Sequence, residues 1–178
     1  MLRKFFLAGC LIFCCLANTL AQNNELSFTV GGGTFSDHDR TIGASALSVA
    51  YTRRLFAGLA VEGSLDTFFV NVPGYGADDY GAAQVAVLYR FGAISKNRRL
   101  VPYLAAGVGS VSTDVTEIRS DPIYRLSAGA EYYFSKEYPW GIRAEIRDEF
   151  TRRGHQPYPL KGNRLSVVTF RAGITYRF

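Results

Sequence analysis

The chain predicts an all-β fold: an eight-stranded antiparallel up-and-down transmembrane β-barrel with a polar, side-chain-filled interior. Three observations carry this reading. In the last nine residues, Phe170, Ala172, Ile174, Tyr176 and Phe178 fall on one side of an extended strand, and Arg171, Gly173, Thr175 and Arg177 on the other. A strand apolar and aromatic on one face and cationic on the other suits a sheet between lipid and a polar interior. Next, Tyr51, Tyr89, Tyr132 and Tyr176 close alternating stretches at spacings of 38, 43 and 44 residues. That distance is one hairpin unit, two strands of about 10 residues with a tight turn and a longer loop, and four such units make eight strands. Finally, the chain starts as an exported protein does.

Met1-Leu2-Arg3-Lys4 is cationic, Phe5 to Leu16 is apolar, and Ala17 to Ala21 ends in small residues. Residues 1–21 read as a Sec signal peptide cleaved after Ala21, and residues 22–178 as the barrel domain. The rival reading, a lipoprotein box at Leu7-Ala8-Gly9-Cys10, leaves about five apolar residues before the cysteine, short of the roughly 7–15 an export signal needs. Cys10, Cys14 and Cys15 all lie in the leader, so the mature chain has no disulfide framework, thiolate metal site or cysteine nucleophile. Loss of Arg3 and Lys4 lowers the formal charge from +5 to +3, a mild excess that gives no argument for a nucleic-acid partner. No apolar stretch long enough for a spanning helix remains after cleavage. Every second residue facing lipid is the remaining way to cross.

The strands are expected at 24–35, 43–53, 57–70, 81–91, 101–110, 122–134, 141–151 and 164–178. The first holds Gly31 to Gly33, glycines that suit tight curvature. The second ends in Val49-Ala50-Tyr51-Thr52-Arg53. Strand three sets Leu59, Val61, Leu65 and Phe69 against Ala60, Glu62, Ser64 and Asp66; strand four sets Val85, Val87, Tyr89 and Phe91 against Gln84, Leu88 and Arg90. The fifth starts at Pro102, and its facing is open because Tyr103 and Leu104 point to opposite registers. Strand six sets Tyr124, Leu126, Ala128, Ala130, Tyr132 and Phe134 against Arg125, Ser127, Gly129, Glu131 and Tyr133. On strand seven Trp140, Ile142, Ala144, Ile146 and Phe150 share a face broken only by Asp148, against Arg143, Glu145, Arg147 and Glu149. Prolines keep to connections or strand starts, as a residue without a ladder donor must.

Connections at 36–42, 71–80, 111–121 and 152–163 are rich in Asp, Gly and Pro, and those near 54–56, 92–100 and 135–140 are mostly shorter. Short turns on one side and longer loops on the other place both termini on the periplasmic side. Tyr51, Tyr89, Tyr132 and Tyr176, with Trp140, then form a periplasmic aromatic belt.

The polar faces collect Glu62, Asp66, Glu131, Glu145 and Glu149 with Arg90, Arg125, Arg143, Arg147, Arg171 and Arg177. Facing lipid, each arginine costs roughly 2–4 kcal/mol at the midplane. Facing inward, acids and arginines neutralise one another in a bore just wide enough for side chains. The expectation is an inward charge network that plugs the lumen, built on arginine because its planar fork pairs carboxylates bidentately. The same alternation describes a soluble sandwich or lipocalin-like barrel with its charges in water. The terminal Tyr176-Arg177-Phe178, the aromatic at every other strand end and the cysteine-free export favour the membrane.

Two resemblances follow. The closing strand, with Phe170, Ile174, Tyr176 and terminal Phe178, resembles the last strand of bacterial outer-membrane β-barrels, which implies that these residues are a signal to the outer-membrane assembly machinery. Pro102 to Gly109, Ser127 to Tyr132 and Gly141 to Arg147 are similar to strands five to seven of eight-stranded barrel domains related to outer-membrane protein A and the opacity-type adhesins. This implies fold and an outer-membrane location across the mature chain, with no peptidoglycan-binding domain after the barrel.

Chemistry is sparse. His38, in Asp37-His38-Asp39, and His155 fall in expected external loops; His155 lacks a serine and an acid at strand spacing. Glu145 and Glu149 each have an arginine two residues away on the same face, which reads as ion pairing rather than acid–base work. No cofactor, metal or catalytic residue is expected. Arg152, Arg153, Lys161 and Arg164 surround the last loop, where they suit phosphates of lipopolysaccharide. The function expected is that of a monomeric envelope scaffold or surface interaction protein in contact with membrane lipid. A narrow diffusion channel and a lipid-modifying enzyme are the alternatives.

Overall fold

The computed structural model describes residues 24–37, 40–56, 58–72, 76–92, 99–113, 120–135, 138–152 and 164–178. Eight strands run in order: β1 Asn24–Asp37, β2 Arg40–Phe56, β3 Leu59–Val72, β4 Gly76–Arg90, β5 Leu100–Thr113, β6 Ser120–Tyr133, β7 Trp140–Arg152 and β8 Arg164–Arg177. Each pairs antiparallel with its neighbour, and β8 pairs with β1 to close the barrel. Eight strands fall where the alternation put them, but most run further at the loop end. Asp37, Asn71 and Asp79, assigned to loops on composition, belong to strands here. A ladder needs only backbone partners, so polar side chains extend it freely once it has left the bilayer. The leader 1–21 lies outside the described residues.

Register fixes the geometry. Stepping across partners from Leu26 passes Tyr51, Gly63, Val85, Val108, Tyr124, Phe150 and Ser166 and returns to β1 at Ser36, ten residues further along. A shear of that size on eight strands tilts them by roughly 40° and leaves an interior that side chains fill. From Trp140 to Phe150 on β7 the rise along the barrel axis is then about 25 Å, the height of a lipid-facing apolar band.

Closure is made at the chain ends. Asn24 and Phe178 exchange backbone hydrogen bonds, Phe178 N to Asn24 O at 2.9 Å and the reverse at 3.2 Å. The β2–β3 turn needs Gly58: its φ is +84°, and a Cβ there would stand 2.6 Å from the carbonyl oxygen of Arg90. That oxygen's own residue donates back, Arg90 N to Gly58 O at 2.8 Å, which ties the turn to β4.

The outward residues are the apolar ones. Phe28, Leu65, Val87, Leu104, Leu126, Ile146, Phe170 and Ile174 are exposed on the outer wall while their neighbours in sequence face inward. Strand five is settled by this: Tyr103 is buried in the bore and Leu104 faces out.

Candidate functional site

The site is the bore itself. Every second residue of each strand points into it, so its contents follow directly from the polar half of the alternation. In its middle, four arginines face four acids. Arg143 Nη1 donates to Glu62 at 2.6 Å and its Nη2 to Glu145 at 3.0 Å. Arg125 bridges the same two acids, at 2.8 Å to Glu62 and 3.4 Å to Glu145. Arg147 reaches Asp66 at 2.8 Å, Glu145 at 2.5 Å and Glu149 at 3.5 Å. Arg171 contacts Asp66 and donates to Glu149 at 2.7 Å. All eight side chains are buried, so their mutual pairing replaces the water they lost.

Neutral groups complete the network. Tyr103 Oη donates to Glu145 at 2.8 Å and accepts from Arg143 Nε at 2.7 Å, with the Arg143 guanidinium 4.8 Å from its ring centre. Thr52 donates to Glu62, Ser64 to Asp66 and Gln84 to Glu149. Room for these long side chains comes from inward glycines. Gly129 is the register partner of Tyr103, and a Cβ on it would lie 2.6 Å from the phenol oxygen.

A second cluster fills the end that carries the termini. Glu25 receives Arg54 at 2.5 Å and Arg177 at 3.2 Å, and it also pairs with Arg90. Arg90 reaches Glu131 at 2.9 Å, and the Tyr133 hydroxyl lies 2.9 Å from both Glu25 and Glu131. The Arg177 guanidinium stacks 3.7 Å from the Tyr133 ring centre. Glu25 and Arg54 were not singled out from the sequence. The signal was present for Glu25, because Glu25, Ser27 and Thr29 alternate with Leu26, Phe28 and Val30.

The loop end departs from a wholly polar interior. There the bore holds an apolar cluster of Phe35, Phe68, Val70, Tyr80 and Val167 with small alanines, and Ile42 and Val111 pack against it. Phe35 and Tyr80 stack at 5.7 Å, and Phe68 roofs the charge network, with the Arg171 guanidinium 5.2 Å from its ring. Phe68 shares the inward parity of Glu62 and Asp66, as the alternation of strand three requires; the charge pattern does not show that Phe35, Tyr80 and Val167 gather around it, and Tyr80 reads from composition as loop.

On the outer wall Tyr89, Tyr132 and Trp140 are exposed near the terminal end, and Tyr176 is half-buried against Trp140 at 4.8 Å. Tyr51 is a correction to that belt. It shares the outward face with Leu26 yet is 9% exposed, because the Phe178 ring lies over it at 6.4 Å and its hydroxyl donates to Asn24. Phe170 and Ile174 face out on β8 and Phe178 ends it. His38, Asp39, Arg153, His155 and Lys161 lie outside the described residues, and so do the side chains of Asp37, Arg152 and Arg164. Among the described residues no group of three acids or histidines is placed to hold a metal.

Comparison with known proteins decides the family. The model of the outer membrane protein beta-barrel domain matches residues 6–178. The chain belongs to that family. It is a bacterial outer-membrane β-barrel, and its inverted pattern, apolar outside and charged within, is that of a sheet in lipid. Among solved structures it resembles Neisserial surface protein A at a TM-score of 0.70 and 13% identity, over 87% of this chain and 97% of that one. Ail, the attachment invasion locus protein of Yersinia pestis, gives 0.56 at 15% identity, over 89% and 100%. The outer membrane enzyme PagL gives 0.53 at 12% identity, over 86% and 99%. At these identities the likeness is one of fold. No curated protein sequence matches the chain.

Proposed function

We propose that this outer-membrane barrel is a sealed, non-catalytic envelope scaffold or surface interaction protein, with both termini in the periplasm and its four loop-end connections outside. The observation that supports it is the continuity of side chains along the bore. The Glu25 cluster, the four-arginine network and the Phe35–Phe68–Tyr80 layer succeed one another from the terminal end to the loop end. An ion would have to displace paired guanidinium groups and then cross an apolar layer. Planar-bilayer recording tests the seal: the purified protein should give no discrete conductance, and regular openings would make it a channel.

The non-catalytic reading rests on pairing. Each buried carboxylate in the bore is bridged to at least one guanidinium, which leaves none poised for proton transfer. Mass spectra of lipid A from a deletion strain should match those of the parent; a missing modification restored by the gene would assign an enzyme instead.

Phe170, Ile174, Tyr176 and Phe178 are the residues through which the assembly machinery would take up the closing strand. Tyr89, Tyr132, Trp140 and Tyr176 would sit at the periplasmic interface, where aromatic rings anchor a barrel.

A further inference from the structure

The apolar outer wall of β6, β7 and β8 carries a carboxylate. Asp148 pairs in register with Leu126 on one side and Val168 on the other, so it faces outward with them. Tyr124, Leu126, Ile146, Phe150, Val168 and Phe170 surround it, and all six are exposed large apolar side chains. Its one hydrogen bond among the described residues comes from Ser166 Oγ at 3.0 Å. Every acid in the bore, by contrast, has a guanidinium. An ionisable group turned toward lipid costs free energy and marks a functional contact, with a partner to be named.

Depth narrows the partner. Asp148 lies two residues on the hydrocarbon side of Phe150, whose ring stacks on Tyr124 at 5.5 Å with 22° between planes. With strands tilted by roughly 40°, that is about 5 Å below an aromatic shelf at the loop end of the band, the boundary between headgroups and acyl chains. Two residues beyond Phe150 and Ser166, Arg152 and Arg164 are register partners at the ends of the same strands. From the Arg152–Arg164 register pair at the strand ends downward, the outer wall presents an aromatic shelf, a carboxylate braced by a hydroxyl, and an apolar face of Ile146 and Phe170.

We infer that Asp148 and Ser166 form a lipid-headgroup site, which takes a phosphorylated amphiphile carrying O–H or N–H donors beside its acyl chains. The phosphate meets the arginine-bearing strand ends, the donors meet the Asp148 carboxylate that Ser166 orients, and the chains lie on the apolar face. An acylated amino sugar and phosphatidylethanolamine both have this chemistry; a choline headgroup has no donor. The site rests on the lipid-facing wall and not on the seal of the bore.

The test uses the full mature chain refolded in dioleoylphosphatidylcholine nanodiscs, with lipid A or dioleoylphosphatidylethanolamine added, and native mass spectrometry of lipid retained after transfer to detergent. Wild type should retain a donor-bearing lipid over phosphatidylcholine, and Asp148→Leu should lower that retention at least fivefold. Ser166→Ala should lower it less, and Phe28→Leu, on β1, should leave it unchanged. Retention of lipid A alone assigns the sugar as ligand, and equal retention of phosphatidylethanolamine assigns the donor–phosphate pair common to both. Wild type without preference over phosphatidylcholine, or Asp148→Leu that retains lipid as wild type does, overturns the site. Heat-shifted electrophoretic mobility verifies that each variant is folded, and a conducting barrel that still retains lipid would overturn only the sealed-bore reading.

Discussion

Arg143 and Glu62 are 81 residues apart in sequence and meet at 2.6 Å across the bore. Glu62 also takes Arg125 at 2.8 Å and Thr52 at 3.0 Å, so one carboxylate holds β2, β3, β6 and β7 to a common centre. Such contacts link strands that the backbone ladder does not pair.

Glu62→Ala should therefore destabilise the barrel by about 3–5 kcal/mol, because it leaves two buried guanidinium groups with Glu145 as their shared partner. Urea unfolding in lipid vesicles measures this. Adding Arg143→Leu to Glu62→Ala should cost less than the two single changes summed, the mark of a coupled pair.

Phe68 separates the charge network from the loop end. Phe68→Ala should cost about 3–5 kcal/mol as a large core truncation. With Tyr80→Ala added, discrete openings should appear in planar bilayers where wild type is silent. If the double variant stays silent, the charge network suffices to close the bore.

Phe170 is 58% exposed and Arg171 is fully buried, one residue and opposite walls apart. Phe170→Arg should cost roughly 2–4 kcal/mol in a bilayer. The same variant in a water-facing sheet would be near neutral, so vesicle unfolding separates the two settings.

Gly173 marks the seam between β8 and β1. A Cβ on it would stand 1.9 Å from the carbonyl oxygen of Phe28, in space the backbone occupies. Gly173→Val should depress the yield of heat-shifted, folded barrel in refolding assays. Gly63→Ala, with nothing within 4 Å of the added atom, should refold as wild type does.

Phe178 closes the barrel and covers Tyr51. Phe178→Ser should lower the amount assembled in the outer membrane of cells while the purified chain still refolds in detergent. Equal loss in both assays would make its role one of stability rather than of recognition.

Much of the bore was legible before any coordinates. Arg143, Glu145, Arg147 and Glu149 occupy alternate positions of one strand, and arginine on a lipid face is too costly to be ambiguous. Where both faces are apolar the pattern is silent. Tyr103 and Leu104 look alike in sequence, and register alone turns Tyr103 inward. Tyr51 follows the period and still hides, because what covers it is the other end of the chain.

By itself the sequence determined the strand count, the period and the sign of each wall, since these depend on neighbours two residues apart and on the free energy of placing charge in lipid. Partners were decided only by closure. The shear of the barrel sets which arginine meets which acid, brings Gly129 opposite Tyr103, and leaves Asp148 ringed by apolar side chains from three strands. Those pairings join residues far apart in the chain, and no local pattern can encode a distance that exists only once the sheet has met its own edge.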